Sequence, residues 1–199
     1  FIEVYDTKAD KFINIPKNRC EFEYRNSVFK KNPGRFIVWS VYFNLQKNGT
    51  PAIPKYKDII EYFSEKNMGS PNLGEIRKAV LEIRARKLPD PRIIPNCGSF
   101  FKNPVLKNEV AESLKLKYPE VLLFPVDGKN SKIPAGWLIE KAGFKDYAKN
   151  GVGVYEHNAL VIINKGGGSF KDLDNLRNKI KERVLGVFGI MLEEEVNIV

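Results

Sequence analysis

The stretch "NALVIINKGGGSFKDLDNL", residues 158–176, carries the pattern that decides the fold class of this chain. Residues 159–164 form a short run of apolar, largely β-branched residues, which predicts a strand. The glycines at 166–168 then turn the chain. Ser169, with Asp172 three positions later, is typical of a helix start. The sequence therefore predicts a strand that leads through a glycine turn into a long helix.

Working outward from this stretch, strands and helices follow one another without strict alternation. Residues 1–4 and 11–15 predict a hairpin, and residues 35–45 predict a buried strand because they are rich in β-branched and aromatic side chains. Helices are predicted at 57–66, 72–88, 108–118, within "AGWLIEKAG" and from Ser169 to Gly189. Residues 89–96 predict an extended connector, and the last segment, "IMLEEEVNIV", predicts a strand. This mixture indicates an α+β arrangement.

The predicted helix at 72–88 carries two cations near its apolar face. That face is formed by residues at helical spacing, namely Leu73, Ile76, Val80 and Ile83. Arg84 lies at its edge, and a continued helix directs Lys87 into it. Cations that lean towards the protein side need an anion or a carboxylate, and a phosphate-bearing ligand is one candidate. Alternatively, both side chains reach solvent across apolar surface. Spacing alone leaves both interpretations open.

The composition narrows the class of protein. The chain has 199 residues with 43% hydrophobic content, which excludes a purely disordered protein. Its net charge of +9 is spread along the chain and favours anionic ligands over a dedicated nucleic-acid tail. The two cysteines show no metal spacing, which favours a reduced, cytoplasmic protein. No apolar run has membrane-spanning length, and no signal peptide is visible; the start at Phe1 suggests that something upstream is missing.

The heptapeptide "GSFFKNP", residues 98–104, is a candidate for chemistry. Gly98 would let the backbone approach a ligand closely, and Ser99 would present a hydroxyl there. The two phenylalanines that follow would anchor the turn in the core. An ordinary serine turn before two buried rings is the alternative.

The carboxylates at 193–195 form a second candidate. Strand alternation places Glu194 in a row with Leu192 and Val196, which makes it a carboxylate in an apolar row. A solvated acidic strand end is the alternative, and periodicity does not select Glu195. His157 has no cysteine pair, so no metal site is predicted.

Seven segments, taken in order, resemble the UDP-N-acetylenolpyruvoylglucosamine reductases, the MurB family, over nearly the whole chain. They are "EFEYRNSVF", "KYKDI", "IRARKLPDP", "NCGSFFKNP", "PAGWLIEKAG", "NALVIIN" and "FGIMLEEEV". The tyrosine segment and "KLPDP" resemble the type I branch. The resemblance implies a MurB-type α/β substrate-binding domain at residues 73–199. Residues 1–72 would be the last strands of a PCMH/VAO-type FAD-binding domain with a connecting helix.

The resemblance also implies an activity in peptidoglycan precursor synthesis. An enzyme of this family uses FAD and NADPH to reduce UDP-N-acetylglucosamine enolpyruvate to UDP-N-acetylmuramate. The family's amino-terminal FAD-binding part, with its glycine-rich pyrophosphate loops, has no counterpart in these residues. We therefore expect a carboxy-terminal portion that retains little flavin by itself and needs a separate FAD-binding part as its partner.

The matched positions carry the family's residue roles. Ser99 would give a proton to the substrate carbon next to the carboxylate. Arg25 and Glu195 would stabilise the enol-like intermediate. The remaining matched positions would contact substrate: Arg84 and Lys87 at the nucleotide-sugar phosphates, Tyr56 as a cover, and Asn103 and Asn158 as polar contacts.

Two other functions remain open. The chain would be a non-catalytic binding module if it kept the pocket for the nucleotide sugar and lost the catalytic activity. A basic nucleic-acid-binding protein rests on net charge alone and ranks last.

Overall fold

The computed structural model describes residues 1–47, 49 and 51–198. It divides into two compact units, Phe1–Thr50 and Pro51–Val199. Both units contain helix and sheet, so the predicted mixed class is confirmed. The domain boundary after residue 72, which came from the family resemblance, stays a prediction.

The first unit is built on a three-stranded antiparallel sheet. Its strands are β1 (Ile2–Asp6), β2 (Lys11–Ile15) and β3 (Phe36–Val41), in the order β2-β1-β3. The predicted hairpin is confirmed, because β1 and β2 pair antiparallel out to Asp6 and Lys11. A short helix, α1 (Val28–Lys31), lies between β2 and β3.

Only one face of this sheet is buried by the residues that the structure describes. Its core comprises Ile2, Val4, Ile15 and Cys20. The prediction of a buried strand at 35–45 is wrong: β3 is shorter, and Ile37, Val38 and Trp39 are exposed. β3 is an edge strand that pairs with β1, and no described element covers its outer face. Strand propensity indicated β structure here but carried no information on what would cover it.

In chain order the second unit contains α2 (Lys57–Glu65), α3 (Leu73–Lys87), β4 (Asn96–Ser99), β5 (Val105–Lys107), α4 (Asn108–Lys117), β6 (Phe124–Pro125), β7 (Asn130–Lys132), α5 (Ala135–Ile139), β8 (Ala148–Lys149), β9 (Val152–Tyr155), β10 (Asn158–Asn164) and α6 (Phe170–Phe188). The main sheet is antiparallel with the order β4-β10-β9-β8, and a small sheet has the order β5-β7-β6. All the helices predicted in this region are present.

The helices α2 and α3 pack on each other through a small core. Asn72 accepts a hydrogen bond from the Glu75 amide and the Glu75 side chain accepts one from the Asn72 amide, which confirms the predicted helix start. Ala79 and Ile83 are buried, but Leu73 is exposed, so its assignment to the apolar face is wrong. As the first residue of the helix, Leu73 lies beyond the region that packs against α2.

The long helix α6 closes the main core. Ser169 and Asp172 form the reciprocal capping pair, and Gly189 ends the helix with φ of +68°, so both predicted ends are confirmed. The main core includes Phe100 directly after β4, Leu138 of α5, Val154 of β9, Ile180 of α6 and Leu192 of the carboxy-terminal segment.

Two extended segments differ from the sequence prediction. The connector at 89–96 contains a turn, because the amides of Ile93 and Ile94 both donate to the Asp90 carbonyl. The Asp90 side chain also binds Arg92, and this interaction lowers the Asp90 pKa to about 2. In residues 190–198, the carboxy-terminal segment has a single bridge, between Phe101 and Glu194, rather than a regular strand.

Candidate functional site

Ser99 is the last residue of β4 and pairs with Val161 of β10. Gly98 before it has φ of +74°, and its amide donates to the Asn96 side chain. A Cβ atom added at Gly98 would meet nothing within 4 Å. The glycine is therefore explained by the backbone turn that carries Ser99, and not by close packing.

Two buried aromatic rings fix the chain directly after Ser99. Phe100 and Phe101 are each 1% exposed, and their ring centroids lie 5.1 Å apart in an edge-to-face arrangement. The Phe100 amide donates to the Leu160 carbonyl at 2.7 Å. The predicted anchoring of this turn in the core is confirmed.

The carboxy-terminal segment runs alongside this turn and brings Glu195 next to Ser99 along the backbone. The Glu195 amide donates to the carbonyl of Phe100 at 2.8 Å, and the Lys102 amide donates to the carbonyl of Glu193 at 2.8 Å. Ser99 and Glu195 therefore belong to neighbouring, hydrogen-bonded segments although they are 96 positions apart in sequence.

Asn158 and Asn103 belong to the same part of the second unit. Asn158 begins β10, and because β10 and β4 are antiparallel, that end of β10 lies beside the end of β4 at Ser99. The Asn158 side-chain oxygen accepts the Leu160 amide at 3.1 Å. The Asn103 side-chain oxygen accepts the amide of Ala135, the first residue of α5, at 2.8 Å. Each amide oxygen thus has a structural role in this conformation.

Glu194 is bound by two cations of α6. Lys181 Nζ lies 2.9 and 3.2 Å from its two carboxylate oxygens, and Arg177 Nε lies 3.6 Å from one of them. The Glu194 side chain is 19% exposed, so a solvated acidic end is wrong for this residue. Burial raises its pKa, but the hydrogen bond from Lys181 and the charges of both cations outweigh burial and leave the pKa below its usual value of 4.5.

Sequence reasoning missed Lys181 and Arg177. Both lie on α6 four positions apart, and therefore on one side of the helix. The signal that could have found them is Glu194 itself, because a carboxylate in an apolar row needs a cationic partner.

Arg84 and Lys87 lie on α3, and Tyr56 lies at the start of α2. Tyr56 directly precedes α2 and is 71% exposed. Arg84 and Lys87 are also exposed, so the interpretation in which both side chains reach solvent is confirmed. Lys87 lies four positions after the buried Ile83, on the side of α3 that packs on α2. Its ammonium binds the carboxylate of Asp58 on α2 at 2.6 Å, so the predicted direction of Lys87 is confirmed and its partner is a carboxylate of the chain itself.

Arg25 belongs to the first compact unit. It has φ of +56°, and its guanidinium carbon lies 5.8 Å from the ring centroid of Tyr24. Its convergence with Ser99 and Glu195 therefore stays a prediction.

Backbone amides of the glycine turn at 166–168 and of Ser169 donate hydrogen bonds to neighbouring side chains. The Asn164 side-chain oxygen accepts the amides of Gly166 and Gly168, and the Asp172 side chain accepts the amide of Ser169. The pKa of Asp172 is lowered, first by its hydrogen bond with the Ser169 side chain. Because these donors are occupied, an anion site at this helix start is disfavoured. A cavity of about 580 Å³ lies beside this turn, and no candidate site residue lines it.

Within the residues that the structure describes, no group of three or more His, Cys, Asp or Glu side chains is arranged to hold a metal ion. The described helices include none that combines the length and the apolar character needed to cross a membrane.

Comparison with known proteins decides the family. Residues 90–199 match the family model described as the UDP-N-acetylenolpyruvoylglucosamine reductase, C-terminal domain. The chain belongs to this family. Three similar MurB relatives carry the name UDP-N-acetylenolpyruvoylglucosamine reductase. The one from Polynucleobacter asymbioticus is 45% identical over 99% of this chain, that from Idiomarina loihiensis 39% over 100%, and that from Flavobacterium johnsoniae 38% over 100%.

The chain spans between 56% and 58% of the length of these MurB relatives. The residues that match the family model, 90–199, all lie in the second compact unit.

Proposed function

We propose that this chain provides the substrate-binding and proton-donating part of a cytoplasmic reductase of peptidoglycan precursor synthesis. The reaction would be the reduction of UDP-N-acetylglucosamine enolpyruvate to UDP-N-acetylmuramate, with FAD and NADPH as cofactors. Family membership and the names of the relatives support this proposal. Residues 1–72 would be the last strands of a PCMH/VAO-type FAD-binding domain, and 73–199 the substrate domain.

One observation carries the proposal. The 2.8 Å hydrogen bond between the Glu195 amide and the Phe100 carbonyl ties the carboxy-terminal segment to the turn of Ser99. A hydroxyl and a carboxyl group on adjacent segments are the two groups that the reaction needs at the reacting carbon and at the substrate carboxylate.

The chemistry follows from what each side chain can donate. Addition of hydride pushes negative charge into the substrate carboxylate, and fixed donors aimed at that charge lower the barrier. Arg25 offers a forked set of donors for a carboxylate, and Glu195 in its protonated form offers one more. The Ser99 hydroxyl is a weak acid, but the carbon of the enol-like intermediate is a strong base, so the hydroxyl suffices as proton donor.

The substrate's diphosphate would be bound by the exposed cations of α3. Lys87 is held near Asp58 by the 2.6 Å contact, which keeps its ammonium at the helix end. Arg84, one turn earlier, would add a second cation. Tyr56 would cover the sugar, and Asn103 and Asn158 would contact it through their amide groups.

The described part of this chain offers no glycine-rich loop with free amides for the flavin's pyrophosphate. The glycine turn at 166–168 is its only run of consecutive glycines, and the side chains of Asn164 and Asp172 occupy amides of that turn. FAD, reduced by NADPH, would supply the hydride from a part of the polypeptide that these residues do not provide. We therefore assign to this chain the proton transfer and the binding of substrate alone.

The test requires a reconstituted reductase. It combines this chain with the part of the Polynucleobacter asymbioticus relative that this chain does not match. We expect Ser99→Ala to leave reduction of the flavin by NADPH unchanged and to slow its reoxidation by the enolpyruvyl substrate about 100-fold or more, because a positioned proton donor is lost. Stopped-flow absorbance of the flavin measures both half-reactions.

The matched control is Ser113→Ala, which removes an exposed hydroxyl of α4 in the same unit. It should leave both half-reactions unchanged. If Ser99→Ala behaved like Ser113→Ala, the assigned proton donor would be incorrect.

A non-catalytic nucleotide-sugar-binding module is the second candidate, because the cations of α3 are exposed while the described residues hold no flavin cradle. Calorimetric titration of the chain with UDP-N-acetylglucosamine addresses it directly. Binding that is lost in Arg84→Ala and kept in Lys78→Ala, an exposed cation on the same helix, would establish the pocket. Binding without any turnover in the reconstituted reductase would favour the module.

A further inference from the structure

The segment that carries Glu195 is held by few backbone contacts. Two hydrogen bonds flank residue 194: the Lys102 amide donates to Glu193, and the Glu195 amide donates to Phe100. Between them lies the single bridge of Phe101 with Glu194. No regular strand continues this ladder in the described residues, so it lacks the cooperativity of a full strand. Ile190 and Leu192 anchor the start of the segment in the main core, and Val196 packs against that core, so the position of residues 193–195 between them depends on these backbone contacts and on their own side chains.

The side chain of Glu194 provides a second attachment, on α6. Both of its carboxylate oxygens lie within 3.2 Å of Lys181 Nζ, and Arg177 Nε is 3.6 Å away. All three side chains are less than 30% exposed, so this contact is screened less than a surface ion pair. Asp174 completes the group by binding Arg177 at 2.6 Å.

The neighbouring carboxylate does not share this attachment. Glu193 is 72% exposed and pairs with Lys102 at 3.1 Å instead. In an extended segment adjacent side chains point in opposite directions. The pairing of Glu194 with α6 therefore directs Glu193 and Glu195 to the side of the segment away from α6.

We propose that Lys181 and Arg177 act through Glu194 as positioning residues, which hold the carboxy-terminal segment so that Glu195 stays beside Ser99. This inference rests on the proposed function, which gives Glu195 its role. It adds to that function two residues of α6, which would act through Glu194 and not by contact with the substrate. The attachment in turn lowers the pKa of Glu194 below its usual value.

The first test measures the segment itself in this 199-residue chain. Lys181→Met removes the charge and keeps most of the apolar stem. We expect amide hydrogen exchange of the peptide containing Glu195 to become roughly tenfold faster, with exchange in α6 and β10 unchanged. Glu194→Gln should have the same effect, which covers the case that one variant folds poorly. Unchanged exchange at Glu195 in both variants would overturn the inference.

The second test uses the reconstituted reductase. Lys181→Met should slow reoxidation of the flavin by substrate roughly tenfold while reduction by NADPH stays unchanged, as expected for a misplaced catalytic group. Lys181→Arg, which keeps a cation, should restore most of the rate. The matched control is Lys179→Met, because Lys179 lies on the same helix but binds the Tyr147 hydroxyl at 3.0 Å.

Glu195→Ala, which removes the carboxyl group, distinguishes the positioning role from the proposed function. If Glu195→Ala slows reoxidation and Lys181→Met does not, the positioning role is wrong while the proposed function stands. If Glu195→Ala itself leaves reoxidation unchanged, the proposed role of Glu195 fails, and the positioning role fails with it.

Discussion

Each of the two compact units contains an antiparallel sheet, and the units differ in how many faces of that sheet are buried. In the first unit β1 buries Ile2 and Val4 on one face only. The other face carries Tyr5, Phe12 and Trp39, whose rings contact one another edge to face in solvent. In the second unit Val161 and Ile162 of β10 are adjacent and both buried, which means that both faces of that strand are covered.

This difference shows that strand propensity in a run of residues does not determine whether the strand is buried. Residues 35–45 and 158–164 are both rich in β-branched residues, yet β3 is exposed and β10 is buried. What separates them is the presence of α5 and α6, which pack on β10 and β9. The following variants test this contrast, beginning with the largest expected effect.

Leu138→Ala should give the largest loss of stability. Leu138 of α5 is fully buried in the main core, and truncation of such a side chain removes apolar contact and leaves a cavity. We expect the free energy of unfolding to fall by about 3 kcal/mol. Urea denaturation followed by circular dichroism measures this. A loss below about 1 kcal/mol would mean that the core of the second unit is looser than its burial implies.

Acid should weaken the first unit through Asp6. Its buried carboxylate binds the Arg35 guanidinium at 2.9 Å, and this hydrogen bond lowers the Asp6 pKa below its usual value of 3.8. A lowered folded-state pKa contributes stability that is fully present above pH 3.8 and is lost as the pH falls through the folded-state value.

Acid titration monitored by the fluorescence of Trp39 and by NMR of the β1 amides would follow this loss. Asp6→Asn should be less stable at pH 7 and should lack the decline below pH 3.8. An Asp6→Asn variant with the same acid profile as the parent chain would show that another carboxylate controls the transition.

Trp39→Ser should have the smallest effect. Its side chain is 70% exposed and makes one edge-to-face contact with Phe12, so we expect a loss of less than about 1 kcal/mol. The other tryptophan serves as the matched comparison, because Trp137 of α5 packs against Tyr118 and Phe188. Trp137→Ser should lower the free energy of unfolding by more than Trp39→Ser does. Equal losses of the free energy of unfolding, measured by urea denaturation, would contradict the difference in burial between the two units.

Much of the second unit was predictable because its signals are local. The capping pairs of Asn72 with Glu75 and of Ser169 with Asp172 each span four residues, and Gly189 ends α6 by its own backbone conformation. The small strands β5 to β9 were not predicted, since segments of two to four residues show no measurable periodicity.

The candidate site was predictable to a smaller extent. Ser99 was singled out by the residues around it, Glu195 came from the family resemblance alone, and the structure brings their backbones together through Phe100. The apolar row that contains Glu194 was readable, but its partners were not. Spacing predicted the direction of Lys87 towards the apolar side of α3, but only the structure identified its partner, Asp58 of α2.

The sequence by itself determined where helices start and stop, where glycine permits a left-handed turn, and that the chain mixes helix with sheet. These features depend on interactions between residues a few positions apart. The tertiary structure alone decided that β3 is exposed, that Glu194 binds Lys181 and Arg177, and that the segment of Glu195 lies beside Ser99. Those outcomes depend on groups far apart in the chain, whose meeting is set by the packing of the whole unit and not by any local pattern.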